Sequence, residues 1–211
     1  MIGVMRPVQR FLDQQYRCPT GPVGHLIGAQ MVRQHEPEVQ WTLSLLALTP
    51  TDQVLEIGCG AGRALELVVP RVSAGHVNGI DYSSTMIEVS HRRNAQAIAA
   101  GQLEVSLADV THLPFAPSQF NTIWSIHTLY FWPDRTQALA ELARVLKPGG
   151  LLVLTFSPGK VGVSEKSSML TMVEEHILPP LQRLGFTATL KQGPNSRQFQ
   201  TIAIIGRKED V

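Results

Sequence analysis

Cysteine is nearly absent: Cys18 and Cys59 are the only two in 211 residues. They lie far apart and have no metal-ligand spacing around them. A disulfide framework and a cysteine-built zinc site are therefore not expected, and a reducing cytoplasm is the default compartment. An excess of one charge is also lacking. Lys plus Arg number 18 against 17 Asp plus Glu, for a formal net charge of +1. Such a balance predicts no electrostatic footprint for nucleic acid or a membrane surface. No apolar run is long enough to cross a bilayer, and the first residues, mixed with arginine and glutamine, do not read as a signal. No internal repeat and no low-complexity stretch occurs. The length suits one domain with a three-layer core.

What is present alternates. Residues 1–50 are polar and helix-like, broken at Pro19-Thr20-Gly21-Pro22. Leu26, Ala29, Met31 and Val32, then Trp41, Leu45 and Leu48, recur at helical spacing. They predict one or two helices forming an N-terminal cap over 1–50, ahead of a compact unit over 51–211. From there strands are expected at Gln53 to Ile57, His76 to Ile80, Leu103 to Leu107, Phe120 to Ile126 and Leu151 to Phe156. Between them the pattern predicts helices. One starts in Ser83-Ser84-Thr85, with Glu88 three residues after Thr85, and runs to about Ala100. Another starts at Asp134, with Gln137 three residues on, and stops at Lys147-Pro148-Gly149-Gly150. A long helix is expected over Ser164 to Ile177, interrupted by Pro179-Pro180 and ended by Gly185. Thr187 to Lys191 and Gln200 to Ile205 read as strands joined too closely for a crossover helix, hence as an antiparallel hairpin at the sheet edge. The expected fold is α/β: a doubly wound, mostly parallel seven-stranded sheet with an antiparallel C-terminal hairpin and an N-terminal helical cap.

Val54-Leu55-Glu56-Ile57-Gly58-Cys59-Gly60-Ala61-Gly62 carries the chemistry. A buried strand runs into a glycine turn that opens a helix, so a ligand can press against bare backbone. Glu56 narrows the ligand. A carboxylate at the lip of such a turn repels a pyrophosphate and suits a ligand with an ammonium group. S-adenosylmethionine carries an ammonium, a sulfonium and no phosphate.

Four signals occur in order: Glu56 to Gly62; Asp81 followed by Tyr82-Ser83-Ser84-Thr85-Met86-Ile87; Ala108-Asp109-Val110 ahead of Leu113-Pro114-Phe115; and Leu142 to Gly150 leading into the fifth strand. In this order the chain resembles a class I S-adenosylmethionine-dependent methyltransferase of the UbiE-like, methyltransferase type 11 kind, with a Rossmann-like fold. The resemblance implies roles. Gly58, Cys59 and Gly60 would pass under the methionine part, with helix N–H groups facing its carboxylate. Asp81 would hold the ribose hydroxyls, and Tyr82 and Met86 would sandwich the adenine. Asp109 and the Val110 N–H would bind the adenine edge, and a carbonyl near Ser125 would take the ammonium. Taken singly, Asp81 or Asp109 is an ordinary loop acid or cap, Met86 a core residue and Cys59 a small filler; their order is what carries weight.

Two rival readings differ in class. A nicotinamide oxidoreductase would also place an acid near Asp81, but a G-x-G-x-x-G run from Gly58 meets Arg63, and no Tyr-x-x-x-Lys pair occurs. A catalytically silent S-adenosylmethionine-binding module is the other. For the acceptor, Ser125 to Pro133 lacks an Asn/Asp-Pro-Pro-Tyr motif, a Pro-Cys pair and an acid to begin a metal site. A small organic acceptor is expected, with no metal, no nucleic acid partner and no membrane insertion. His127, at the end of the fourth strand, is the first candidate for a catalytic base, with His25, His35, Tyr16 and Tyr130 in reserve. Gly21, Gly24, Gly28, Met31 and His35 resemble the lead-in of some bacterial members, in which Asn is common at the His35 position. Ser157 to Val163 reads as a gate beside the cofactor.

Overall fold

The structure is a computed structural model and describes residues 14–162 and 167–210. Seven strands form one sheet: β1 (Gln53–Ile57), β2 (His76–Asp81), β3 (Leu103–Leu107), β4 (Phe120–Ile126), β5 (Leu146–Phe156), β6 (Phe186–Gln192) and β7 (Ile202–Lys208). Their order is β3-β2-β1-β4-β5-β7-β6. The chain winds outward from β1 to β3, then returns to lay β4 on the other side of β1. The first five strands pair in parallel, whereas β7 runs antiparallel between β5 and β6. The reversal between β1 and β4 opens a crevice at their carboxyl ends, where such sheets bind ligands. Register aligns those ends: Ile57 sits opposite both Ile80 and Ser125.

Alternate residues of each strand feed two cores. Leu55, Ile57, Leu152 and Leu154 join one cluster with Ala138, Leu139 and Leu142 of α6 (Arg135–Val145). Val54, Leu151 and Val153 join the other with Leu65 and Val68 of α3 (Arg63–Val68). After helical residues 14–17, the helices α1 (Gly21–Gln34) and α2 (Glu36–Leu45) precede the sheet. Val39, Leu43 and Leu46 belong to the second cluster, so α2 is packed into the core of the sheet. Pro37 explains why there are two helices: it cannot continue a helix already running, yet it is well suited to a first turn. His35 is the joint, closing α1 and opening α2.

Several boundaries differ from expectation. Leu26 is 74% exposed, and α1 buries Gly24, Ile27 and Gly28 instead. The helix expected to Ala100 is two, α4 (Ser84–Arg93) and α5 (Ala95–Ala99). Its cap is Ser83, whose hydroxyl accepts from the Met86 N–H; Thr85 instead accepts from the Gly21 N–H at 3.2 Å. The break falls at Asn94, which is buried and donates to the Gly62 and Ser90 carbonyls at 3.1 Å. That bond ties the helix pair to the glycine turn. A Cβ at Gly62 would meet Ser90 Oγ and Asn94 Nδ2, so close approach as well as its φ of +74° requires glycine there. Strand β5 begins at Leu146, with an irregular register around Phe120 and Thr122. Of the long helix expected from Ser164, residues 164–166 lie outside the described residues. Beyond them come α7 (Ser168–His176) and α8 (Leu178–Arg183). Pro179-Pro180 opens α8 rather than merely interrupting a helix, because a first turn needs no proline N–H. The gate segment is described only as far as residue 162. Among the described residues no helix is long and apolar enough to cross a membrane.

Candidate active site

The glycine turn is held first by its own backbone. The Gly58 and Cys59 N–H groups both donate to the Ile80 carbonyl, at 2.8 and 2.9 Å. Gly58, Gly60 and Gly62 all have positive φ, of 70°, 51° and 74°. Asp81 clamps the turn from β2: one carboxylate oxygen accepts from the Gly60 N–H and the other from the Ser83 N–H, each at 2.8 Å. Burial pushes the Asp81 carboxyl up, against these two bonds. Each oxygen keeps acceptor capacity for a further hydroxyl.

Two cavities meet at this clamp, sharing Arg17, Gly58, Asp81, Thr128 and Phe131. The smaller, about 140 Å³, is walled by Glu56, Gly58, Cys59, Gly60, Met86 and His127 among others. The larger, about 440 Å³, is walled by Tyr82, Ala108, Asp109, Val110 and Trp132 among others. Together they make an elongated groove along the carboxyl ends of β1, β2 and β4. Glu56 is buried, and burial pushes its carboxyl well above the ordinary range, with the nearby Asp81 adding to the rise. The Cys59 thiol is also pushed well up by burial, consistent with a filler and not a nucleophile. Asp109 accepts from the Thr111 N–H and hydroxyl at 2.9 and 2.8 Å, which fixes the loop after β3.

Tyr82, Met86 and Ser125 take different places around the two cavities, and Tyr82 and Met86 line different ones. Tyr82 is 71% exposed on the larger one, whereas Met86 is buried on the smaller one against Gly28. Ser125 is in the wall of neither cavity. It is buried, and its hydroxyl bonds that of Thr128. The wall there is Ile126, His127 and Thr128, because the chain leaves β4 in a left-handed turn at His127, φ +58°.

His127 stands in a group that sequence reading did not assemble. Its N–H donates to the Thr155 carbonyl at 2.9 Å, and its Nδ1 lies 3.0 Å from the Tyr130 hydroxyl. Its Nε2 lies 3.7 Å from the carboxylate of Glu38, and His35 Nδ1 approaches the same oxygen at 3.6 Å. Burial lowers the His127 pKa and so favours the neutral imidazole, with Glu38 opposing. Burial alone would raise the Glu38 carboxyl, but His127 and His35 beside it more than offset this and hold it well below the carboxylate range. Burial pushes the Tyr130 hydroxyl up to about 12, and it accepts from the Ser157 N–H. Of the reserve candidates, His35 and Tyr16 line the smaller cavity, Tyr130 bonds His127, and His25 lines neither cavity. Glu38 was missed. The one sequence signal for it is the i,i+3 spacing His35-x-x-Glu38 at a helix start, which Pro37 disguises.

A family model described as a methyltransferase domain matches residues 55–154. The uncharacterized methyltransferase YdaC of Bacillus subtilis is 26% identical over 68% of this chain and 77% of its own length. The ubiquinone/menaquinone biosynthesis C-methyltransferase UbiE of Geotalea daltonii is 32% identical over 56% of this chain and 51% of its own. The chain thus aligns with most of YdaC but only about half of UbiE. In fold, it resembles an S-adenosylmethionine-dependent methyltransferase from Aquifex aeolicus with a TM-score of 0.64, 20% identity, and coverage of 83% of this chain and 91% of that one. Sheet order, glycine turn, Asp81 clamp and matched domain converge on one family: the chain is a class I S-adenosylmethionine-dependent methyltransferase.

Proposed function

We propose that S-adenosylmethionine lies along the joined cavities and that its methyl group passes to a small organic acceptor, leaving S-adenosylhomocysteine. The observation that carries this is the meeting of the two cavities at Asp81. The smaller suits the methionine half, with Gly58 to Gly60 beneath it and Glu56 available to its ammonium. The larger suits the adenosine half, with Asp81 on the ribose, and Asp109 and the Val110 N–H on the adenine edge. Transfer is an in-line attack on a reactive sulfonium, for which orientation and water exclusion supply up to roughly 7–11 kcal/mol. His127 faces the smaller cavity and is the group we assign to activating the acceptor. The balanced charge and the scarcity of cysteine support a small-molecule enzyme of the cytoplasm.

Calorimetry tests the cofactor. S-adenosylmethionine is expected to bind and nicotinamide dinucleotides are not; the reverse result would overturn the reading. Incubating labelled S-adenosylmethionine with an acceptor panel, followed by mass detection, tests the reaction. Binding with no S-adenosylhomocysteine formed from any acceptor would point to a silent module. Asp81→Ala is expected to keep the fold. It should weaken cofactor binding by about 10–150-fold, as loss of one charge-assisted hydrogen bond worth roughly 1.5–3 kcal/mol requires. An unchanged dissociation constant in a folded variant would remove Asp81 from the site.

A further inference from the structure

We propose that His35, Glu38 and His127 form a site for a divalent transition-metal ion, with Nδ1 of His35, the Glu38 carboxylate and Nε2 of His127 as ligands. The ligand atoms of these three residues all lie within 4.8 Å of one another. The two histidine nitrogens stand 3.6 and 3.7 Å from Glu38 Oε1. Those separations are too long for charge-assisted hydrogen bonds, which close to about 2.7–2.9 Å. They suit shared coordination: metal bonds of about 2.0–2.2 Å at tetrahedral angles place neighbouring ligands roughly 3.3–3.6 Å apart. His35 Nδ1, Glu38 Oε2 and His127 Nε2 are buried without a hydrogen-bond partner. Glu38 is 3% exposed and His127 11%. A buried carboxylate flanked by two imidazole nitrogens without hydrogen-bond partners is a donor set that a divalent cation would complete.

The surroundings hold the three ligands in place. The Tyr130 hydroxyl on His127 Nδ1 orients the ring as outer partners of metal-bound histidines do. The Thr42 hydroxyl lies 2.7 Å from both the Glu38 carbonyl and the Thr155 hydroxyl, and the Thr155 carbonyl takes the His127 N–H. Thus α2 and the end of β4 are fastened through β5. Two imidazoles and one carboxylate favour zinc, cobalt, nickel or iron over magnesium or calcium, which prefer all-oxygen ligation. His35 and His127 line the smaller cavity, so the remaining coordination positions open toward it. Resting here on the methyl-transfer reading, an acceptor hydroxyl bound to the ion would lose its proton to solvent more readily. Its oxygen would then attack the methyl carbon as the carbon–sulfur bond breaks, sulfur keeping the electron pair.

The test uses the untagged full chain, stripped with a chelator and titrated with Zn²⁺ and Co²⁺ by calorimetry and visible absorption. One ion per chain is expected, with a ligand-field band for Co²⁺. Glu38→Gln and His127→Asn should each abolish it, the latter with the backbone retained because asparagine tolerates a left-handed φ. Tyr130→Phe should weaken binding about 10–100-fold. No saturable binding by the wild-type chain overturns the proposal, as does binding that Glu38→Gln and His127→Asn, shown folded by circular dichroism, leave unchanged. S-adenosylmethionine is titrated in parallel. A chain that takes the cofactor but no metal sinks this inference alone, and one that takes metal but no cofactor sinks the methyl-transfer reading alone.

Discussion

Glu56→Gln is expected to stabilise the ligand-free protein at neutral pH while weakening S-adenosylmethionine binding by about 10–150-fold, the equivalent of roughly 1.5–3 kcal/mol for a charge-assisted bond. Glu56 is buried on β1 with one carboxylate oxygen lacking a partner. Burial raises its pKa well above the ordinary 4.5. The sign follows from proton counts. Between 4.5 and the raised value the folded protein holds the proton that the unfolded chain releases. Stability therefore falls as pH rises through that window, and the penalty is gone below it. A neutral glutamine of the same shape removes the penalty, so melting temperatures of variant and wild type should diverge as pH climbs from about 4.5 toward 7. The same carboxylate is what a bound ammonium requires: the cofactor's positive charge favours the ionised form and converts a cost of folding into affinity. Melting curves across pH, with and without cofactor, check both halves. Equal cofactor affinity in wild type and variant would remove Glu56 from the site. A flat stability difference across pH would show that its proton equilibrium is unperturbed by folding.

This trade explains why the sheet and the cofactor groove are readable in the sequence. Gly58 to Gly62 and Asp81 sit where backbone conformation and burial leave few residue choices, so the residue types announce the geometry. Strand and helix alternation carried the parallel sheet, and the short span before β7 carried the antiparallel edge. What escaped depends on direction. Tyr82 and Met86 are four residues apart in sequence, yet the helix start at Ser83 sends one to the surface and the other inward. Ser125 reads as an end-of-strand ligand, but the left-handed residue after Ile126 hands that place to His127 and Thr128. Glu38 is hidden further still. It becomes a neighbour of His127 only because Pro37 breaks the N-terminal helix at His35 and Thr42 fastens the second half to Thr155. The approach of Glu38 to His127 is the long-range fact among these, and local spacing does not disclose it. The split at Asn94 is similar: nothing in the periodicity foretells it, because its cause is a hydrogen bond to Gly62, 32 residues away.

Gly58→Ala is expected to lose both stability and cofactor binding, and Thr128→Ser is expected to return part of the stability. Gly58 has φ +70°, and a Cβ built there would run into Thr128 Cγ2. The left-handed backbone alone costs an L-residue roughly 1–2 kcal/mol, and forcing a methyl into a filled space costs roughly 1–3 kcal/mol more. Thr128 cannot simply turn away. Its hydroxyl bonds that of Ser125 and accepts from Trp132 Nε1 at 3.2 Å, which fixes its rotamer. Serine keeps that hydroxyl and removes the colliding methyl. In the double variant the packing cost should therefore shrink to the tight contact with the remaining Cβ, 3.1 Å away, while the backbone cost stays, giving a coupling of up to about 1–3 kcal/mol between the two sites. Cofactor affinity should recover less than stability, because the alanine methyl still projects between the two cavities that share Gly58. Chemical denaturation of the four chains measures the coupling and calorimetry measures the affinity. Strictly additive stabilities would mean that the turn relaxes away from Thr128. Full recovery of binding in the double variant would mean that the ligand does not press against Gly58 at all.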